Sequence, residues 1–293
     1  MMKPITVSVV GLGQMGSALV APLLRGGNAV TVWNRNKEKA APLVALGAQL
    51  ADSIENAVKA SELIVVCLSS YDISDTLFRE PKVQPLLSGK TFIQLTTGTG
   101  DEAARSAAWA KDAEFSYLDG AIMDYPAAVG TAGCLLLASG PEASYKHYAD
   151  HLRLLGGKFT YVGKNPAAAN HLDGGLLTLY YATTFGFLQS AAMLEAADVS
   201  VETLKNAVDS FRHVLDKTMA RATDSLSRKD YTGHEASIVV HSYGVQTLRD
   251  RARLAGVDYS LLQLFSEYLE KTRDMGFHAA ELPATFEIFR RTR

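Results

Sequence analysis

The chain reads as an α/β protein: a doubly wound, largely parallel sheet over residues 1–163, then a long apolar helix leading into an all-helical part over 164–293. Three observations carry that reading. Short β-branched runs alternate with helical stretches through the first half, which is the rhythm of βαβ units. A glycine-rich turn stands between the first such run and the first helix. From Asn165 onward strand patterns stop.

Bulk composition narrows the class. A length of 293 residues suits two domains, each with room for a core. The formal net charge of −2 and 20% charged residues give no reason to expect nucleic acid or a charged membrane as partner. Cys67 and Cys134 have no CxxC spacing, so a reduced compartment, the cytoplasm, is expected, with neither disulfide nor metal site. The short apolar run at the N-terminus ends in glycines and does not resemble a signal peptide.

Residues 5–10, ITVSVV, predict a buried strand. The order strand, Gly11-Leu12-Gly13-Gln14-Met15-Gly16, helix is a Rossmann-type dinucleotide fingerprint. Gly11 permits the tight turn, Gly13 lets a pyrophosphate reach N–H groups at the helix N-terminus, and Gly16 lets helix and strand close together. Pro22 falls inside that helix, where proline costs about 3 kcal/mol and usually kinks it. The second strand, 28–33, runs into Asn34-Arg35-Asn36-Lys37-Glu38-Lys39. A chain selecting NAD would place an acid here for the ribose 2′-hydroxyl. Asn34 occupies the spot instead, and Arg35 and Lys39 follow, so the cofactor expected is NADPH. Cations at a helix N-terminus oppose its dipole, which an anion between them would offset; a plain solvated helix start is the alternative.

Strands follow at 63–68, 91–95, 116–123, 134–139 and 158–163, with helices such as 101–112 and 141–156 among them. Ligands of doubly wound sheets bind outside the carboxyl ends of strands. Ser69 and Ser70 after one strand and Thr97 and Thr99 after the next therefore sit where cofactor and substrate would be, although hydroxyls in turns more often cap helices; Cys67 and Leu68, at the end of the first of these strands, are cofactor candidates with them. His147 and His151 share one helical face and predict an exposed surface rather than a zinc pair.

The stretch 164–197, opened by Pro166, predicts a helix of about nine turns, apolar on nearly every face and so buried all round. One acid, Asp173, sits where burial should be deepest, followed by Gly174 and Gly175, which leave the backbone bare to an approaching group. Structural capping of the acid by an arginine or by backbone groups is the plainer reading.

The segments GLGQMG, VWNRNKEKA, VCLSSYD, LTTGTG and LDGAIMDYP together resemble the NADPH-dependent imine reductases and reductive aminases, relatives of the β-hydroxyacid dehydrogenases. The likeness runs from Ile5 to about Phe286 and is strongest in the first 180 residues. It implies that Asp173 replaces the catalytic lysine of the β-hydroxyacid dehydrogenases, since no lysine lies between Lys164 and Lys205. It also implies that Tyr181 is the second catalytic residue, whereas helix geometry alone would prefer Tyr180. The substrate pocket implied is Met123, Tyr125, Phe211, Val240, His241 and Tyr243, with Asp230 and Tyr231 also facing the cleft. Thr97, Phe211 and the pair Val240-His241 stand where many relatives have asparagine, tryptophan and Met-Gln, so reduction of a preformed imine is expected more firmly than ketone–amine coupling. The family further implies an intertwined homodimer, with the helical part as its dimerisation domain. Alcohol oxidation of the β-hydroxyacid dehydrogenase type, or NADPH binding without catalysis, are the competing functions.

Overall fold

The computed structural model describes residues 3–233 and 235–290. They form two compact units, Met1–Thr178 and Leu179–Arg293.

The first unit is built in the order β1 (Thr6–Val10), α1 (Gln14–Arg25), β2 (Ala29–Trp33), α2 (Ala41–Ala45), β3 (Gln49–Leu50), α3 (Ile54–Ala60), β4 (Leu63–Val66), α4 (Tyr71–Phe78), β5 (Thr91–Gln94), α5 (Gly100–Asp112), β6 (Ser116–Ile122), β7 (Leu135–Ser139), α6 (Glu142–Arg153) and β8 (Lys158–Gly163). Its sheet runs β3-β2-β1-β4-β5-β6-β7-β8. All pairs from β3 to β6 are parallel, β7 is antiparallel to β6, and β8 is parallel to β7. The strands predicted from sequence are present, shortened by a residue or two at several ends. β3, a two-residue exposed edge strand, and the reversal at β7 were not foreseen.

Alternation along the central strands sorts the core into two layers, as a pleated strand requires. Leu63 and Val65 of β4 pack into the cluster that holds Leu19 and Leu23 of α1 and Leu152 of α6. Ile64 and Val66 pack into the other, with Ala57 and Val58 of α3 and Trp109 of α5. Helices thus cover both faces, which is why these strands read as continuous apolar runs. Helix α1 continues through the buried Pro22 to Arg25.

Two expectations fail here. His151 is not on an exposed face: it is 7% exposed and its Nε2 lies 3.0 Å from the Lys3 carbonyl oxygen. The partner is 148 residues away in sequence, so helical spacing could not show it. The long helix α7 (Ala168–Glu195) begins two residues after Pro166, because the Asn165 carbonyl and side-chain oxygens take the Ala168 and Ala167 N–H groups. Nor is α7 buried all round. Only Ala169, Asn170 and Asp173 are buried, all in its first two turns. Further along, Leu179, Tyr181, Phe185 and Leu188 are each about half exposed. An apolar surface on every side states that cover is favoured, not that one chain supplies it.

The second unit continues with α8 (Val201–Arg228), α9 (Ile238–Leu254), α10 (Ser260–Thr272) and α11 (Phe286–Phe289). Ser200 and Ser237 cap α8 and α9. The buried Glu281 accepts from Arg221 and from the Glu235 N–H and so ties α8 to the segment before α9.

The start of α7 is fastened to the sheet by polar groups. The Asp119 carboxylate on β6 is fully buried. Its Oδ2 accepts from the Tyr71 hydroxyl of α4 at 2.6 Å and from the Tyr117 hydroxyl at 2.5 Å. Its Oδ1 accepts from Asn170 Nδ2 of α7 at 2.6 Å, and the same amide nitrogen donates to Tyr71 at 2.9 Å. Burial nevertheless outweighs these bonds and pushes the Asp119 carboxyl up to about 7, with the negative charge of Asp173 adding to the shift.

The sign of the consequence follows from linkage. A folded carboxyl that binds its proton more tightly than the unfolded chain does adds stability below the ordinary aspartate range, and that stability is lost as pH rises towards about 7. Asp119→Asn has no such proton to lose. Denaturant midpoints measured from about pH 4 to about pH 8 should therefore move in the variant's favour relative to wild type as pH rises. A constant difference would place the Asp119 ionisation in the ordinary range.

Candidate active site

The loops after β1, β2, β4, β5 and β6 all leave the same edge of the sheet, because these five strands run parallel. The strand order reverses between β1 and β4, where a crevice opens in such sheets. Gly11 lies there with φ +96°, and a Cβ on it would fall 2.2 Å from the Cys67 carbonyl oxygen. A Cβ on Gly16 would fall 2.0 Å from the Gly11 carbonyl oxygen, whereas one on Gly13 would meet nothing within 4 Å. Two glycines are needed for the protein's own packing, and the third leaves open space. The first turn of α1 has neither a side-chain cap nor an acid, although Ser53, Ser70 and Thr99 cap α3, α4 and α5. Its bare N–H groups suit a pyrophosphate, and so the residues present fit a dinucleotide.

The neighbouring loops hold this turn in shape. Asn34 Oδ1 accepts from the Leu12 N–H at 3.0 Å, and Asn34 Nδ2 donates to the Asn36 carbonyl at 2.9 Å. Asn34 thus braces the glycine turn that leads into Gln14 and Met15 at the start of α1, a use the sequence did not suggest. Asn36 caps the Glu38 N–H. Arg35 and Lys39 are exposed and make no ion pair among the described residues. Lys39 sits on a four-residue 3₁₀ turn, Lys37–Ala40, so the expected opposition to a helix dipole does not arise. The case for a 2′-phosphate rests on two unpaired cations beyond the β2 carboxyl end.

Of the four turn hydroxyls, Ser70 and Thr99 are helix caps, the latter in a capping box with Glu102. Ser69 and Thr97 are exposed at the crevice. The Leu68 N–H donates to the Thr96 hydroxyl at 3.0 Å, joining the two loops. Burial pushes the Cys67 thiol up to about 11, so it stays protonated and serves as wall rather than nucleophile.

Asp173 is 5% exposed. Among the described residues it has neither hydrogen bond nor ion pair, so the capped-acid reading fails. Burial raises its pKa, the only cause. A Cβ on Gly174 or Gly175 would meet nothing within 4 Å, which leaves the backbone beside Asp173 open. Lys164 is exposed and pairs with Glu142 at 3.7 Å. Met123 packs against the buried cluster of Ala121, Leu137 and Ala169 at the α7 start, as does Leu176. Tyr125 is 69% exposed past the end of β6.

Tyr181, Phe211, Val240, His241 and Tyr243 belong to the helical unit. The Tyr181 ring stacks on Phe185 at 6.2 Å and meets Tyr180 edge-on at 5.2 Å. Phe211 on α8 and Val240 and Tyr243 on α9 are more than half exposed, and His241 is half-buried. Asp230 and Tyr231 are engaged within their own unit, with Thr232 and Glu287 respectively. Sequence reasoning passed over Asp119, Tyr71 and Asn170. The one available signal was an acid inside the apolar run SYLDGAIM.

Known proteins agree with this arrangement. Residues 6–163 match the NAD binding domain of 6-phosphogluconate dehydrogenase, and residues 165–291 match the C-terminal domain of NADPH-dependent reductive aminase-like proteins. An NADPH-dependent reductive aminase of Aspergillus oryzae is 27% identical over 97% of both chains. The imine reductase of Myxococcus stipitatus, solved with NADP+, is 33% identical, superposes with a TM-score of 0.91, and is covered in full by 97% of this chain. The reductive aminase of Aspergillus terreus, solved with NADPH4, cyclohexanone and allyl amine, is 26% identical with a TM-score of 0.89, over 98% of this chain and all of its own. With both halves matched and the glycine turn, uncapped α1 and buried acid in place, this chain belongs to the family of NADPH-dependent imine reductases and reductive aminases.

Proposed function

We propose that this enzyme reduces small imines, cyclic ones included, to amines with NADPH, and that Asp173 is the group that meets the imine nitrogen. The observation that carries the assignment to Asp173 is a buried carboxyl with no hydrogen-bond or ion-pair partner among the described residues. A structural acid would be paired. NADPH, when bound, supplies hydride to the imine carbon. Burial favours the protonated form of Asp173, so it can give its proton to nitrogen and then remain beside the iminium as a carboxylate. In a site poor in water that fixed charge stabilises the cation more than bulk water does. Tyr181 orients the nitrogen or relays a proton, and Met123, Tyr125, Phe211, Val240, His241 and Tyr243 form the wall. Alcohol oxidation is disfavoured because no lysine stands between Lys164 and Lys205 and Lys164 is engaged with Glu142.

The cofactor is held by the first part of the chain, residues 1–163, through Gly11–Gly16, Asn34, Arg35, Asn36, Lys39, Cys67–Ser69 and Thr97, while residues 164–293 supply the rest of the site. A second copy of the chain covers the apolar side of α7, making the helical part a dimerisation domain. Support for this comes from the half-exposed Leu179, Phe185 and Leu188. Free Cys67 and Cys134 suit a reducing cytoplasm.

Replacing Asp173 with alanine should lower kcat for a cyclic imine such as a pyrroline by about 10²–10⁴-fold and leave the NADPH dissociation constant nearly as it was; unaltered turnover removes Asp173 from the chemistry. Arg35→Ala should weaken NADPH about tenfold or more and NADH hardly at all, since only the former carries the 2′-phosphate; equal losses in a fluorescence titration refute that contact. Light scattering should return twice the chain mass of 31.6 kDa, and the pair Phe185→Glu, Leu188→Glu should return the single mass. A monomeric wild type at micromolar concentration overturns the dimer.

A further inference from the structure

Two of the segments that carry the proposed site, α4 and α7, meet at one buried carboxylate that the chemistry above does not use, and a third, the turn after β5, packs against one of its donors. Asn170 stands one helical turn before Asp173, on the same side of α7. Its amide donates to Asp119 at 2.6 Å and to Tyr71 at 2.9 Å. Tyr71 reaches two ways. Its hydroxyl donates to Asp119, and its ring closes on the turn after β5, where a Cβ on Gly98 would fall 2.3 Å from the Tyr71 ring edge. That turn carries Thr97. A few residues on, a Cβ on Gly100 would fall 2.4 Å from the ring of His171, so α7 also touches the start of α5 directly. Tyr117 donates to Asp119 as well, but from β6 itself; it lies beside the Tyr71 hydroxyl and has no bond of its own to α7 or to the turn among the described residues.

We propose that Asp119 is a positioning residue for imine reduction: through Asn170 it fixes the first turns of α7, and with them Asp173, and through Tyr71 it fixes the Thr97–Gly98 turn against that same helix. Asp119 itself is fully buried and so offers no surface to substrate or cofactor. Its three donors need three lone pairs on one side chain, which a carboxylate offers and an amide does not. The α7 register matters because a misplacement of about 1 Å in a reacting group can lower a rate about 10²-fold. This inference rests on the role given to Asp173, and its test has one arm that does not.

Asp119→Asn, Tyr71→Phe and Tyr117→Phe are compared with wild type in the full-length protein. The arm free of catalysis is amide hydrogen exchange without cofactor. Tyr71→Phe and Asp119→Asn should speed exchange about tenfold or more across residues 170–176 while the β4 and β5 amides stay protected. The catalytic arm is steady-state reduction of a pyrroline, with enzyme concentration set by NADPH titration so that unfolded protein is not counted. Both variants should lose about tenfold or more in kcat, with KM and the NADPH dissociation constant within about threefold of wild type. Tyr117→Phe gives up the same number of buried hydroxyls but should lose far less kcat. An equal loss in Tyr117→Phe marks the cluster as general core stability and overturns the proposal, as does unchanged exchange over 170–176 or unchanged kcat in Tyr71→Phe. If the wild type itself reduces no imine, the reaction assigned above falls, and the exchange comparison alone decides whether Asp119 fixes α7.

Discussion

Burying an unpaired carboxylate in a protein interior is so unfavourable that the group either finds donors or takes up a proton. Asp119 does the first and part of the second: three hydroxyl or amide donors from β6, α4 and α7 are drawn to one point at the carboxyl edge of the sheet, and burial still pushes its carboxyl up to about 7. That requirement sets where α7 begins relative to the strands, and hence where Asp173 stands. Asp173 relies on the second alone: it is buried, has no donor among the described residues, and is pushed towards its protonated form. The two acids lie close enough for the charge of one to raise the pKa of the other. One is satisfied and holds the frame, while the other is left wanting a partner. Such a contrast is the pattern expected where one carboxyl is structural and its neighbour reacts.

The elements legible from sequence were those whose signal is local. Fully buried parallel strands must be apolar on both faces, so β1, β4 and β5 appear as continuous runs, and the glycines at 11 and 16 are demanded because a Cβ there would fall 2.2 and 2.0 Å from a carbonyl oxygen. What stayed hidden depends on pairs far apart in the chain. The Asp119 partners Tyr71 and Asn170 are 48 and 51 residues away, and the His151 partner is 148 away. The direction of β7 is likewise a tertiary fact, since an antiparallel and a parallel edge strand can share one composition. Asn34 shows a middle case. Its place at the end of β2 pointed to the ribose, yet its oxygen is spent on the Leu12 N–H, so it acts at the cofactor turn by bracing backbone.

Helix α7 separates two meanings of hydrophobicity. Its first turns are buried by the chain's own sheet and carry the polar residues Asn170 and Asp173. Beyond Thr178 it is mostly apolar, and its Leu179, Tyr181, Phe185 and Leu188 are about half exposed. Polar groups thus sit where cover is complete and their bonds can be controlled, while apolar side chains sit where cover must come from elsewhere. A pattern summed over the whole helix blurs this division, which is why uniform burial was a natural but mistaken expectation.

The uncapped start of α1 reaches beyond the cofactor it suits. A turn of bare N–H groups with no acid of its own presents partial positive charge to whatever anion is at hand. Sulfate, inorganic phosphate or citrate in the medium would compete for that end. Apparent coenzyme affinity should then depend on the choice of buffer salt, and values obtained in phosphate would not be interchangeable with those obtained in an amine buffer.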